Sequence, residues 1–170
     1  MVPSANAFEE KSASPPQSPF DPRTKQAMIG ANNKGAPVPG HFEDIVVGQV
    51  ISLGAMGLDA AVTEDFIRTF SPGWDPASGA PDAMIYAVWC KLDLQSAAEW
   101  PQTKRLAVDA LRWARNPPPG ELLRGRMTIL GKDQVGESKG LVMAQHDLLD
   151  EAGRLVFSCL TRSVFACRGD

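Results

Sequence analysis

One helix constrains what can surround it. Between Pro81 and Trp100-Pro101, the residues Met84, Ile85, Val88, Trp89 and Leu92 recur at helical spacing and give a wide apolar face. Asp82 stands at its start, with Pro81 just before it. It is the longest apolar helix that the pattern supports, so it is expected at the centre of the fold. After Pro101 the pattern changes to alternation. Residues 106–115 read as a strand, and Pro117-Pro118-Pro119-Gly120 as a turn. Residues 121–130 read as a second strand, 131–136 as a loop and 139–149 as a third strand. Asp150-Glu151-Ala152-Gly153 is a hairpin turn, and 155–167 a fourth, long strand. Both faces of that last strand are apolar, with Leu155, Phe157 and Cys159 against Val156, Leu160 and Val164. A sheet covered by the helix on one face and partly covered on the other follows.

Upstream, residues 46–53 read as a strand, with Gly48 as a bend. Thr63 has the chemistry of an N-cap, with Glu64 and Asp65 placing negative charge in a first turn. Phe66, Ile67 and Phe70 would then face the core from a short helix ending before Pro72. The order is strand, helices, then an antiparallel run of strands. That order predicts an α+β domain. No internal repeat is visible.

Residues 1–40 read differently from the rest. They hold Pro3, Pro15, Pro16, Pro19, Pro22, Pro37 and Pro39, half of the chain's 14 prolines, among Ser, Asn and Gly. Such a composition cannot build a core of its own. It fits a flexible arm, or an arm strapped over the domain or a partner subunit by Phe8, Phe20, Met28 and Ile29. The folded domain is expected over 41–170, from His41-Phe42-Glu43-Asp44 onward.

Charge and cysteine usage narrow the function classes. A formal net charge of −3 gives no electrostatic reason to expect nucleic acid or an anionic membrane as partner. No apolar run approaches the roughly 20 residues of a membrane span. The start of the chain lacks the basic-then-apolar pattern of a signal peptide, so a cytoplasmic protein is expected. Cys90, Cys159 and Cys167 are an odd number without metal-ligand spacing and read as reduced thiols. No metal or other cofactor is expected.

The order of segments, read with their residues, resembles the MaoC-like dehydratase family of the hotdog superfamily. The resemblance covers about residues 41 to 168. Phe42-Glu43-Asp44-Ile45-Val46-Val47-Gly48-Gln49 looks like the family's opening strand, and Thr63-Glu64-Asp65-Phe66-Ile67-Arg68-Thr69-Phe70 like the short helix before its active-site loop. Trp74-Asp75-Pro76 resembles the start of its Asp-x4-His loop. Residues 85–91, with Trp89, resemble the first half of its central helix. Leu111-Arg112-Trp113-Ala114-Arg115-Asn116-Pro117 with Pro119-Gly120-Glu121-Leu122 looks like a characteristic strand pair. Gly140-Leu141-Val142 and Glu151-Ala152-Gly153-Arg154-Leu155-Val156 resemble the last hairpin.

That resemblance implies a long central helix wrapped by a curved antiparallel sheet. It also implies a site for an acyl thioester, usually acyl-CoA. In such hydratases an Asp and a His hold one water as general base and acid, and backbone N–H groups near the central helix polarise the thioester carbonyl. Asp75 is the matching candidate catalytic residue. Trp74, Ile85, Tyr86, Val88 and Trp89 are the candidate substrate-binding residues. The resemblance further implies a homodimer or larger even oligomer, with helices back to back, sheets joined edge to edge, and the pocket between protomers.

The chain departs from the family pattern in three places. Ala80 stands at the fifth residue after Asp75, where the motif carries its histidine, and alanine cannot move a proton. The loop after it is shortened. Val88 occupies a helix position that is glycine in many members. Two functional readings remain open: an acyl-thioester enzyme or weakened relative, and a non-catalytic hotdog protein that binds a ligand or serves as a structural partner subunit. In a dimer, His146 or Tyr86 would be the groups to replace the missing histidine. The local alternatives also stay open. Asp75-Pro76 makes an ordinary turn, Asp82 an N-cap, Trp89 and Cys90 core positions, and His146 a half-buried structural histidine. Arg112, Arg115, Arg124 and Arg126 read as a basic cluster on adjacent strands, facing either coenzyme A phosphates or solvent.

Overall fold

The computed structural model describes residues 39–97 and 100–169. The arm expected over 1–40 falls, apart from Pro39 and Gly40, outside the described residues, and so do its anchors. A turn of 3-10 helix at Phe42–Asp44 leads into β1 (Val50–Gly57) and α1 (Ala60–Phe70). A second such turn, Pro76–Ser78, precedes α2 (Asp82–Ala97). Four strands follow: β2 (Gln102–Trp113), β3 (Leu122–Gln134), β4 (Lys139–Leu149) and β5 (Leu155–Ala166).

The strands form one sheet in the order β1-β3-β4-β5-β2, and every pairing is antiparallel. The strand before α2 and the strand after it therefore lie at opposite edges. The chain crosses from one edge to the other through α2, which lays the helix across one face of the sheet. Met84, Ile85, Val88, Trp89 and Leu92 are all buried there, against Leu53 of β1, Leu123 of β3, Leu148 of β4 and Val156, Phe157 and Cys159 of β5. Each such side chain contributes roughly 1.5–3 kcal/mol on burial. Gly125 of β3 lets helix and sheet approach: a Cβ there would lie 2.9 Å from Leu53 Cβ and 3.3 Å from Leu92 Cδ1. A second apolar cluster, around Phe42, Ile45, Ile51, Ile129, Val142 and Phe165, closes the other end of the core.

β2 runs Gln102–Trp113 rather than over 106–115, and three further boundaries differ from the sequence reading for a local reason. β1 begins at Val50, because Gly48 turns the chain at a φ of +86° and Val46 and Val47 are left exposed. Only Gly48 and Gln49 reach β3, through bonds to and from Ile129. α1 begins at Ala60. Its N-cap is Asp59, whose carboxylate accepts the Val62 N–H at 2.9 Å. Thr63 is instead buried, and its hydroxyl donates to the Asp59 carbonyl. Phe66 and Ile67 are only half-buried, and Phe70 is 70% exposed. Finally, β3 runs on to Gln134 through a bulge between Ile129 and Gly131, so the expected loop shrinks to the residues just before Lys139.

Candidate functional site

Asp75 heads the turn Pro76–Ser78. Its carboxylate accepts the backbone N–H of Ala77 at 2.9 Å, and the residue is solvent-exposed. Trp74, half-buried, donates its indole N–H to the Gly79 carbonyl at 2.9 Å. Asp and Trp thus fold the loop onto itself. The loop is also clamped from outside. Ala80 is fully buried, and its N–H bonds to the Pro117 carbonyl at 2.8 Å. Asn116 donates to both the Ala80 carbonyl (2.9 Å) and the Asp82 carboxylate (2.8 Å). Gly79 makes this closeness possible. Its φ of +89° belongs to glycine, and a Cβ would come 2.4 Å from the Asn116 carbonyl oxygen. Position 80, five residues after Asp75, is therefore a sealed contact between the loop and the chain around Pro117.

Asp82 is the first residue of α2 rather than a residue outside it; the Pro81 carbonyl takes the first helical bonds, from Met84 and Ile85. The remaining candidates divide by burial. Ile85, Val88 and Trp89 are buried at 3% exposure or less and pack in the core. Tyr86 is half-buried against Trp89 and Phe157, with ring centroids 5.2 and 6.1 Å away. Burial pushes its hydroxyl pKa up. Burial likewise raises the Cys90 thiol, and takes Cys159 to about 12, so neither is a thiolate near neutral pH.

The expected basic cluster does not form. β2 and β3 are separated by β4 and β5 in the sheet, so Arg112 and Arg115 do not share a patch with Arg124 and Arg126 as strand neighbours. β2 and β3 are consecutive in sequence, but residues 114–121 carry the chain between strands that are not neighbours. Arg115 instead grips Glu121 and Asp150, and Arg126 pairs with Asp147 at 2.8 Å. Arg112 and Arg124 are exposed.

Two buried polar groups with shifted pKa values lie elsewhere, against the later turns of α2. Asp93 is 2% exposed, and Arg105 of β2 donates to its carboxylate at 2.6 Å. His146 of β4 is 1% exposed, not half-buried. Its Nδ1 lies 3.5 Å from Asp93 Oδ1, and its Nε2 lies 3.0 Å from the Thr161 hydroxyl on β5. Desolvation raises the Asp93 pKa in spite of Arg105. Burial, helped by the Arg105 charge, lowers that of His146 to about 3, so the imidazole is neutral. Sequence reasoning passed over Asp93. The one signal was a charge four residues after Trp89, on the helix's own apolar face. Among the described residues, no group of three or more His, Cys, Asp or Glu is placed to hold a metal ion, and no helix is long and apolar enough to cross a membrane.

No protein-family model matches this chain, and no curated protein matches it either. Solved structures do. A MaoC-like dehydratase from Rhodospirillum rubrum superposes with a TM-score of 0.67 at 20% identity, over 78% of this chain and 100% of that one. A monoamine oxidase regulatory protein from Archaeoglobus fulgius gives a TM-score of 0.67 at 15% identity, over 79% and 99%. A conserved Mycobacterium tuberculosis protein with a double hotdog fold gives 0.63 at 18% identity, over 78% of this chain and 46% of that one. The described residues form an α+β hotdog domain: one long helix across a five-stranded antiparallel sheet.

Proposed function

We propose that this hotdog chain is a MaoC-like protein that binds an acyl thioester, such as acyl-CoA, without carrying a hydratase dyad of its own. The observation that carries the second half is the state of the loop. The Asp75 carboxylate is in solvent and committed to the Ala77 N–H, and the place of its histidine partner is a buried alanine under Pro117. An acid–base pair needs a second titratable group in reach of the same water, and Ala80 offers none. The first half is supported by the likeness to MaoC-like dehydratases in fold and by the sequence resemblance along 41–168.

The test is a pair of measurements on the full chain. Saturated acyl-CoA of increasing chain length is expected to raise the melting temperature in proportion to the logarithm of ligand concentration above Kd. Crotonyl-CoA and longer enoyl-CoA are expected to show no hydration above background. Turnover that disappears in Asp75→Asn would restore the catalytic reading. Absence of stabilisation by any acyl-CoA would remove the ligand reading.

A structural subunit role is the second reading, and it rests on the sheet edges. β1 and β2 are edge strands, and β2 exposes Leu106 (53%) and Leu111 (39%). Unpaired edges invite strand pairing with another chain. A homodimer or larger even assembly is expected, and a monomeric mass by light scattering would overturn it. The free thiols at Cys90, Cys159 and Cys167 fit a reducing cytoplasm.

A further inference from the structure

Asp93, Arg105, His146, Thr161 and Ser163 come from α2, β2, β4 and β5 and converge behind Trp89. Their hydrogen bonding is incomplete. Trp89 Nε1, Arg105 Nε, His146 Nδ1 and Ser163 Oγ are buried with no hydrogen-bond partner among the described residues. Two small cavities adjoin them. One, of about 10 Å³, is lined by Arg105, His146, Thr161 and Ser163. The other, of about 20 Å³, touches Asp93 and Ser96. Gln102 and Trp100 line both. Apolar cavities stay dry, but a polar one of roughly this size holds a single water.

We propose that these residues form a hydrated acid–base site inside the domain, in which water completes the bonds of Ser163 and Arg105, and the Asp93 carboxyl, not the His146 imidazole, takes up a proton on acidification. Near neutral pH, Asp93 is a carboxylate paired with Arg105. The ring of His146 carries its proton on Nδ1, facing Asp93 Oδ1, and Nε2 accepts the Thr161 hydroxyl. One added proton goes to Asp93 Oδ1, which then donates to Nδ1. The ring proton moves to Nε2 and donates to Thr161, and the imidazole stays neutral throughout.

Burial of both groups favours this order, and Arg105 acts on each: it holds against protonation of Asp93 and against an imidazolium at His146. Arg105 lies over the Trp89 ring at 5.4 Å and opposes an imidazolium beside it. The Asp93 carboxylate, 3.5 Å from Nδ1, favours the imidazolium, and so does Asp147. The Asp147 carboxylate is already held by Arg126 at 2.8 Å and by the Gln145 amide at 3.0 Å. Tyr86, Cys90 and Cys159 stay uncharged. β1 and β3 present only apolar side chains to the cavities: Ile51, Leu53, Met127 and Ile129.

Long-range ¹⁵N–¹H spectra of the imidazole rings read this directly. The chain has two histidines, so a His41→Gln variant assigns them. On acidification below pH 8, while the chain stays folded, the His146 ring is expected to stay neutral and to move from the Nδ1–H to the Nε2–H tautomer as Asp93 takes up its proton. Asp93→Asn, whose amide can donate to Nδ1, is expected to hold the Nε2–H tautomer at every pH. An imidazolium spectrum for His146 in this range would overturn the proton assignment. For the water, a high-resolution crystal structure of the full chain is expected to show it bonded to Ser163 Oγ, and to show it lost in the conservative Ser163→Ala variant. A dry cavity, or a water unmoved by that substitution, would overturn the hydration site. Neither readout involves acyl-CoA, so its failure is separate from that of the proposed function.

Discussion

The two ends of α2 treat a carboxylate in opposite ways. At the N-terminal end, Asp75 and Asp82 are exposed, one accepting the Ala77 N–H and the other an Asn116 amide. Water solvates whatever these bonds leave over, so the loop asks little of the rest of the fold. Toward the C-terminal end, Asp93 is out of water and leans on Arg105 and His146, each from a different strand. Burial makes a charge depend on its partners and shifts its protonation. The residue that a motif search selects thus lies in solvent, and the residue that no motif marks is buried and has its pKa raised by desolvation.

Asp93→Ala is the strongest way to break that contrast. It leaves the half-buried Arg105 without its partner, and the expected loss is about 3 kcal/mol in urea unfolding, the low end for a buried pair. A loss below about 1 kcal/mol would place the pair in effective contact with solvent. The pH dependence comes next. An unfolded histidine binds its proton near pH 6.5, whereas folded His146 stays neutral to about 3. Between those values the unfolded chain binds more protons, so stability falls as pH falls, by at most about 1.4 kcal/mol per pH unit. Asp93 works with the opposite sign. Its folded pKa is raised above 3.8, so in the window above that value its proton uptake favours the folded state and flattens the acid end of the curve. Urea melts at successive pH values should show the decline, and His146→Gln should remove it.

Gly79→Ala probes the other end of the helix. The φ of +89° and the nearby Asn116 carbonyl oxygen predict a cost of about 1–3 kcal/mol, seen as a lower melting temperature. Asp75→Asn is the smallest effect. Asparagine caps a turn as well as aspartate does, so less than about 0.5 kcal/mol is expected, with no change in the His146 spectrum. A large effect of Asp75→Asn would erase the contrast between the two ends.

Much of the fold was legible because it is written in periodicity. α2 starts at Asp82 with the anticipated residues buried, and β4 spans Lys139–Leu149 as the alternation suggested. Local capping was harder to read. Thr63 and Asp59 are both good cap chemistry, and Asp59 takes the Val62 N–H while Thr63 turns inward. At the loop, the alanine at position 80 could be read directly, but the clamp by Asn116 and Pro117 could not, since its two halves are 36 residues apart.

What the sequence determined by itself was the set of elements and the absence of a proton carrier at position 80. Both are properties of single residues and short spacings, which hydrophobic period and side-chain chemistry encode locally. What only the tertiary structure decided was which strands are neighbours and which polar groups lose their water. The order β1-β3-β4-β5-β2 sets the arginines of β2 and β3 apart. The same order, with the register that places His146 opposite Cys159 and Thr161 opposite Ala144, brings His146 and Thr161 together beneath Asp93. Burial is a property of the packed whole, so a protonation state that depends on it appears only once helix and sheet are in place.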